Sequence, residues 1–370
     1  MSELKVDKVS PRTGNYVALN TVGMKNIIIN GDMSIAQRST SASSITSSGY
    51  HALDRHRLAI SSLGTWTISQ DTDVPSAQGF AKSMKFDCTT ADAAPAASDV
   101  MWVQHRIEGQ NLQYIKKGTA NAESLTLSFW VKSNKTGTYI AELEDTDNSR
   151  HIAKSYTINS ASTWEKKTIT FAGDTTGTLT NDNNTSLELH FYLGAGTNYT
   201  SGTLATSWSS NTDANRAVGQ VNLADSTSNE WYITGIQLEA GTTASDFEFL
   251  PYDVNLQRCQ RYYYKTEASS SSNTYGSGLQ YSTANALLNL DFPVTMRIAP
   301  TALEQNGTAA HYSVVDAGAI RICTSVPQFN GSSKNTITVD FTAASTLTAG
   351  RGALGRSENT SSYLAWSAEL

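Results

Sequence analysis

The stretch Trp231-Tyr232-Ile233-Thr234-Gly235-Ile236-Gln237-Leu238-Glu239 decides the fold. Its apolar side chains fall on one face as Trp231 and Ile233, then slip by one position to Ile236 and Leu238, as in a half-buried strand with a bulge at Gly235. Gly241 stops it. Working outward, the same period of two recurs. Leu125, Leu127, Phe129 and Val131 face one way against Thr126, Ser128, Trp130 and Lys132. Leu187, Leu189, Phe191 and Leu193 oppose Glu188, His190 and Tyr192. Residues 156–171 add two strands around a polar turn at 159–163. Strand runs parted by polar turns over residues 26–250 predict a β-sandwich of two packed sheets. Beyond it, Leu288, Leu290, Phe292 and Val294, then Ile337, Val339 and Phe341, predict a second, smaller sandwich over 251–370. A short helix is expected at 251–260, with Pro251 at its first position, as a hinge between the two. Residues 1–25 have too few hydrophobes to bury a core alone.

Composition narrows the function. Of 370 residues only 16% are charged, against about 25% in ordinary domains, and Ser, Thr and Asn fill the deficit. The net charge is −6 and no Lys/Arg block occurs, which argues against nucleic acid as a partner. Cys88, Cys259 and Cys323 are too far apart for a disulfide framework or a zinc site and read as buried thiols. No signal-peptide core and no apolar run of membrane-spanning length is visible, so synthesis in the cytoplasm and no membrane insertion are expected. No repeat period of a parallel β-helix is present.

The order of several short stretches carries a family resemblance. These are Glu3-Leu4-Lys5-Val6-Asp7-Lys8-Val9-Ser10-Pro11-Arg12, Asn26-Ile27-Ile28-Ile29-Asn30-Gly31-Asp32-Met33, Asp54-Arg55, the strand at Leu125 to Ser133, the closing strand at Trp231, Leu256-Gln257-Arg258-Cys259-Gln260-Arg261-Tyr262-Tyr263-Tyr264, Phe292-Pro293-Val294-Thr295-Met296-Arg297 and the terminal Ala368-Glu369-Leu370. The series resembles bacteriophage tail-fibre and receptor-binding proteins of marine phage type, with a carbohydrate-binding-module-like jelly roll and a distal β-domain. The resemblance implies an all-β protein in three parts: a tail-attachment arm (1–25), the jelly roll (26–250) and a receptor-binding domain (251–370). It implies a virion protein, a homotrimer that joins a tail adaptor or nozzle protein through the arm and binds a host-surface glycan. It also places Asn26 to Met33 as a first strand beside the last one. A capsid fibre or tail connector is the structural alternative, and a glycan depolymerase the enzymatic one.

Candidate chemistry is sparse. No Gly-x-Ser-x-Gly elbow occurs and the six histidines lie in unrelated contexts, so no catalytic residue is expected. Glu239, Glu248 and Glu304 could supply a glycosidase pair only if two converged on one cleft. His51, Asp54 and His56 are close in sequence, but Asp54 and Arg55 read as a self-satisfying charge pair rather than part of a metal site. The acidic run Glu142, Glu144, Asp145, Asp147 lacks the glycine and distal glutamate of an EF-hand and reads as a solvated loop. Jelly rolls of this kind often hold calcium near the Asn30-Gly31-Asp32 region, but the last strand offers Thr234-Gly235 where an acid would be needed. Neither a metal nor a cofactor is expected.

Sugar recognition requires flat aromatic faces with amide or hydroxyl groups at the rim. The polar loops at 267–278 and 357–362 flank Tyr275 and Tyr363, so the ligand surface is expected in the distal domain, among Tyr275, Tyr281, Tyr312, Tyr363 and Trp366. Tyr192, Tyr199 and Trp208 of the jelly roll are the alternative set. In the Tyr262-Tyr263-Tyr264 run, alternate rings are expected in the domain and the middle one against a neighbouring subunit.

Overall fold

A computed structural model describes residues 24–343 and 347–370. The expected arm, residues 1–25, lies outside the described residues apart from Met24 and Lys25. The protein is all-β, and its larger unit consists of two antiparallel six-stranded sheets. The first runs Ser41–Ile45 (β1), Thr65–Asp71 (β3), Ser83–Thr90 (β4), Glu230–Ala240 (β12), Leu125–Ser133 (β6) and Glu165–Phe171 (β9). The second runs Ser209–Ser210 (β11), Arg150–Ile158 (β8), Gly137–Asp145 (β7), Thr185–Ala195 (β10), Val100–Glu108 (β5) and Arg57–Ser61 (β2). Between them the alternating apolar residues interlock. Phe129 of β6 and Phe191 of β10 meet edge to face at 5.0 Å, and Phe191 also contacts Trp231 of β12. All three are fully enclosed, and truncating such a ring costs about 3–5 kcal/mol.

The closing strand carries the expected bulge. Its pairing with β6 shifts register between Thr234 and Gln237, and Gly235 adopts φ +64 with the Phe80 ring lying where a β-carbon would be. The segment Asn26 to Met33 does run beside β12 but forms no regular ladder, contrary to the expected first strand. Only Ile27 N–H to Leu238 O and Ile236 N–H to Gly31 O join the two backbones. Because the bulge throws the edge out of register, the Asn26 side chain fills the gap, donating to Ile236 O and accepting from Leu238 N–H.

The acidic run is corrected more fully. Residues Glu142 to Asp145 are strand, in β7, and Glu142 and Asp145 are fully buried. Asp145 pairs with Lys117, itself buried. The alternation that hides Ala141 and Leu143 inside puts Glu142 and Glu144 on the outer face, where other elements cover them.

The second unit is a seven-stranded antiparallel sheet of Ala319–Ile322 (β18), Tyr312–Asp316 (β17), Gly352–Ser357 (β21), Thr274–Gln280 (β14), Asn285–Asp291 (β15), Thr336–Thr342 (β20) and Gln328–Ser332 (β19). A three-stranded sheet of Tyr263–Glu267 (β13), Tyr363–Ser367 (β22) and Glu304–Gln305 (β16) accompanies it. Leu288, Val339, Phe341, Tyr312 and Trp366 centre a separate core.

The short helix forms over Tyr252–Gln260, with Pro251 just before it rather than as its first residue. It packs against the first described residues of the jelly roll. Cys259 packs with Ile29, Ile35 and Tyr262, and Asn255 donates to Asp32. Asp54 and Arg55 are both buried, but they do not pair with each other. Asp54 accepts from the backbone and side chain of Gln37, while Arg55 pairs with Glu369 at the far end of the chain. The cause is topological: the terminal residues return to the jelly roll, where Arg106 donates to Leu370 O, while Arg297 of the second unit donates to Glu369 O. Tyr263 is likewise used within the chain. Its ring lies 3.7 Å beneath the Arg38 guanidinium and its hydroxyl donates to Glu304, so it is not presented to a neighbouring subunit. The three cysteines are free and buried, as expected.

Candidate functional site

The outer face of the second sheet carries the densest chemistry among the described residues. Strand register aligns Arg57, Gln104, His190 and Glu142 in one cross-strand row. Arg106, Glu188, Glu144 and His151 form the row on one side, and Trp102 with Tyr192 the row on the other. Cross-strand neighbours on one face lie close enough to interact directly. Gln104 accepts from Arg57 at 2.8 Å and donates to Glu188; Glu188 takes a further hydrogen bond from His190 at 2.8 Å and pairs with Arg106 at 3.0 Å.

Glu142 is the hub. It receives His151 Nδ1 at 2.7 Å, His190 Nδ1 at 2.9 Å, the Tyr192 hydroxyl at 3.0 Å and Arg216 at 2.9 Å. Burial alone would raise its pKa, but the Arg216 charge and the two histidine hydrogen bonds hold the carboxyl well below its usual range. His190 is opposite in kind. Burial pulls its pKa down, yet hydrogen bonds to Glu142 and Glu188 push it up to about 9, so its ring is protonated at neutral pH. Tyr192 is driven well above its usual value by burial and by Glu142. These groups hold one another in fixed charge states, which suits positioning rather than proton transfer at neutral pH.

Arg216 arrives from the loop after β11 and also contacts Glu144. Glu142, Glu144 and His190 have the spacing of a metal site, but the Arg216 guanidinium is bonded to both carboxylates, and a cation there would have to displace it. Asp32, in the region read for calcium, is engaged by Ser34 and Asn255.

Above this network stands Trp102, half-buried, with His190 and Tyr192 each 5.4 Å from its ring, Tyr199 at 6.5 Å and Arg216 at 5.6 Å. The arrangement offers an indole face beside guanidinium, amide and carboxylate groups already oriented by their neighbours. Gln104, Glu142, Glu188, His190 and Arg216 are themselves buried. The part of this arrangement open to solvent is therefore the partly exposed Trp102 with Arg57, Arg106 and Glu144, an aromatic beside charged groups of the kind that contacts sugars.

Two of the alternative jelly-roll residues are thus brought together. Tyr192 is fully enclosed and supports the site from beneath, while Tyr199 flanks Trp102. Trp208 stands apart, donating to Ala172 O beside Lys117. In the distal domain, Tyr312 and Trp366, expected among the ligand contacts, are fully enclosed in the core and present no face to solvent. Tyr275 and Tyr363 are half-buried; Tyr275 bonds Ser362 at 2.6 Å and Tyr363 lies under Lys265. Tyr281 is exposed and bonds Asp340. Glu239, Glu248 and Glu304 serve separate purposes: Glu239 binds Ser245, Glu248 accepts from Lys25 and Asn26 N–H, and Glu304 accepts from Tyr263. Sequence reasoning missed Trp102, Gln104, Arg57, Arg106 and Arg216. The signal was the polar face of residues 100–108 and 187–193, where Trp, His and Tyr stand among charges, an unusual set for a solvated strand face.

No protein-family model matches this chain, and no curated protein matches it. Among solved structures it is similar to the enzymatically active domain of tailspike protein 4 of bacteriophage CBA120, at 13% identity and TM-score 0.31, over 58% of this chain and 21% of that one. It is also similar to the module TmCBM61 in complex with β-1,4-galactotriose, at 9% identity and TM-score 0.31, over 59% of this chain and 99% of that one. A third is the family 11 carbohydrate-binding module of the cellulase Lic26A-Cel5E of Clostridium thermocellum, at 12% identity and TM-score 0.27, over 60% and 99%. The chain spans about a fifth of the tailspike domain it matches. At TM-scores this low the likenesses assign neither ligand nor activity, and the two-sheet architecture rests on the strand pairing itself.

Proposed function

We propose that this chain is a glycan-binding virion protein, a bacteriophage tail-fibre adhesin that holds a host-surface glycan without cleaving it, with Trp102 and its flanking polar groups as the binding face. The carrying observation is that one half-buried indole stands over a hydrogen-bonded network running from Arg57 through Gln104, Glu188 and His190 to Glu142. A face that is ordered before the ligand arrives avoids the entropy cost of assembling it. The network's charges are paired with one another, and the three glutamates weighed as catalytic acids each serve a structural contact, which supports binding without hydrolysis. Tail attachment through residues 1–25 and a homotrimeric state belong to the same reading. Single glycan contacts are weak, and three copies on one axis raise avidity by about 10² or more.

The test is adsorption of the full chain to host-surface polysaccharide. Trp102→Ala is expected to weaken binding roughly tenfold with folding retained, and prolonged incubation to release no reducing ends. Unchanged binding by Trp102→Ala together with loss in Tyr363→Ala would move the site to the distal domain. Sustained release of reducing ends would make the protein a depolymerase. Light scattering should give about 120 kDa for three chains of 39.9 kDa; a stable monomer would remove the trimer.

A further inference from the structure

A cavity of about 360 Å³ lies where the jelly roll, the short helix and the first described residues meet. Its wall is apolar on one side, with Ile27, Ile29, Ile107 and the half-exposed Tyr114, and cationic on the other, with Arg258, Arg261 and Arg106. The three guanidinia are not equivalent. Arg261 is paired with Glu108 at 2.7 Å and Arg106 with Glu188 at 3.0 Å. Arg258 has no carboxylate within ion-pair distance among the described residues, and its one hydrogen bond is a long one, 3.4 Å to Asn26 O. Arg258 is partly buried, so its charge has neither full hydration nor a counter-ion. Burial pulls the Arg258 pKa down, and the nearby Cys259, Tyr262 and Glu248 offset this only in part.

A second group in the same wall lacks a partner. His105 is 3% exposed and its Nε2 accepts the Ile29 N–H at 3.3 Å, which leaves the proton on Nδ1. That Nδ1 donor has no acceptor among the described residues. Burial and the charge of Arg55 keep the ring neutral, so it offers a fixed N–H rather than a charge. The cavity therefore combines an unpaired planar cation with an apolar wall, while the His105 Nδ1 donor is buried within that wall.

We propose that this junction cavity binds a small organic carboxylate, of the size and polarity of a single acidic sugar, with its carboxylate on Arg258 and its carbon skeleton against Ile27, Ile107 and Tyr114. A planar guanidinium fork matches a carboxylate in two parallel hydrogen bonds, and the volume falls within the range of about 300–1,000 Å³ usual for small-molecule pockets. The site is distinct from the Trp102 face, with Arg106 the one residue near both.

Calorimetric titration of the full chain with glucuronate and, separately, with glucose tests this. Saturable binding of glucuronate is expected, with glucose at least roughly tenfold weaker, and Arg258→Met should weaken glucuronate roughly tenfold. Trp102→Ala should leave glucuronate binding unchanged, which separates this site from the glycan face whichever of the two fails. Should Arg258→Met fold poorly, Tyr114→Ala at the rim gives a second measure, with weaker binding expected. Equal affinity for glucose and glucuronate, no binding of glucuronate, or full retention in both cavity variants would overturn the proposal.

Discussion

Raising the pH should unfasten the outer network of the second sheet at His190. In the folded protein this ring is fully enclosed, and hydrogen bonds to Glu142 and Glu188 outweigh the desolvation that opposes its charge, moving its pKa from 6.5 to about 9. A folded-state pKa above the unfolded one means that folding favours the protonated ring. The stability it contributes is fully present below pH 6.5 and is lost as pH rises through about 9. A tenfold change in proton affinity is worth about 1.4 kcal/mol, so the displacement corresponds to roughly 3 kcal/mol, a sizeable share of the 5–15 kcal/mol that holds a domain together. Glu142 stays ionised throughout this window, because Arg216 and the histidines hold its pKa down, and Tyr192 remains protonated. Urea unfolding from pH 6 to 9.5, followed by tryptophan fluorescence, should show the midpoint falling across that range. In His190→Gln the ring charge is absent at every pH, and the alkaline decline should flatten. Equal decline in both proteins would refute the reasoning, as would NMR evidence of a neutral His190 at pH 7.

Two structural predictions accompany it. Glu369→Gln leaves the fully enclosed Arg55 guanidinium without its carboxylate and should cost about 3 kcal/mol, read as a lower denaturant midpoint; an unchanged midpoint would show that the terminal residues do not hold the junction. Gly235→Ala places a β-carbon 2.6 Å from the Phe80 ring at φ +64 and should cost about 2 kcal/mol, read as a melting temperature lower by several degrees.

The fold was legible because its signal is local. Alternation in Leu125 to Val131 and Leu187 to Leu193 depends on which face of a strand is buried, and Gly235 announces its bulge by a one-residue slip in the apolar pattern. The site was not legible to the same degree. Glu188, His190 and Tyr192 were visible as an outward face, but an outward face reads as solvated unless something covers it, and the cover comes from Tyr199, in the turn just after β10, and Arg216, in the loop after β11. The acidic run was misread for the same reason. Glu142 looks like a loop residue until four partners from three other segments surround it. Two of the aromatics expected in the second unit's ligand surface failed in the opposite direction: a Ser/Asn-rich loop beside an aromatic suggests recognition, yet Tyr312 and Trp366 are spent on the small domain's core.

The junction shows most clearly what a sequence withholds. Arg55 and Glu369 are 314 positions apart, and neither carries a mark of the other. Joined, they place a buried ion pair against Tyr262, whose ring lies 3.5 Å from the Arg55 guanidinium and whose hydroxyl donates to Glu108. Arg38 adds a second contact to Glu369 while covering Tyr263, and Arg297 holds the backbone of Ala368 and Glu369. A flexible linker would leave such polar groups to water. Here they are desolvated and mutually paired, so separating the two units at this joint would expose or orphan several charges at once, which is costly. The Tyr262-Tyr263-Tyr264 run works as its plate: one ring takes Arg55, the next Arg38, and the third stacks on Trp366 in the distal core. The second unit is thereby joined to the jelly roll through side chains as well as through the chain between them.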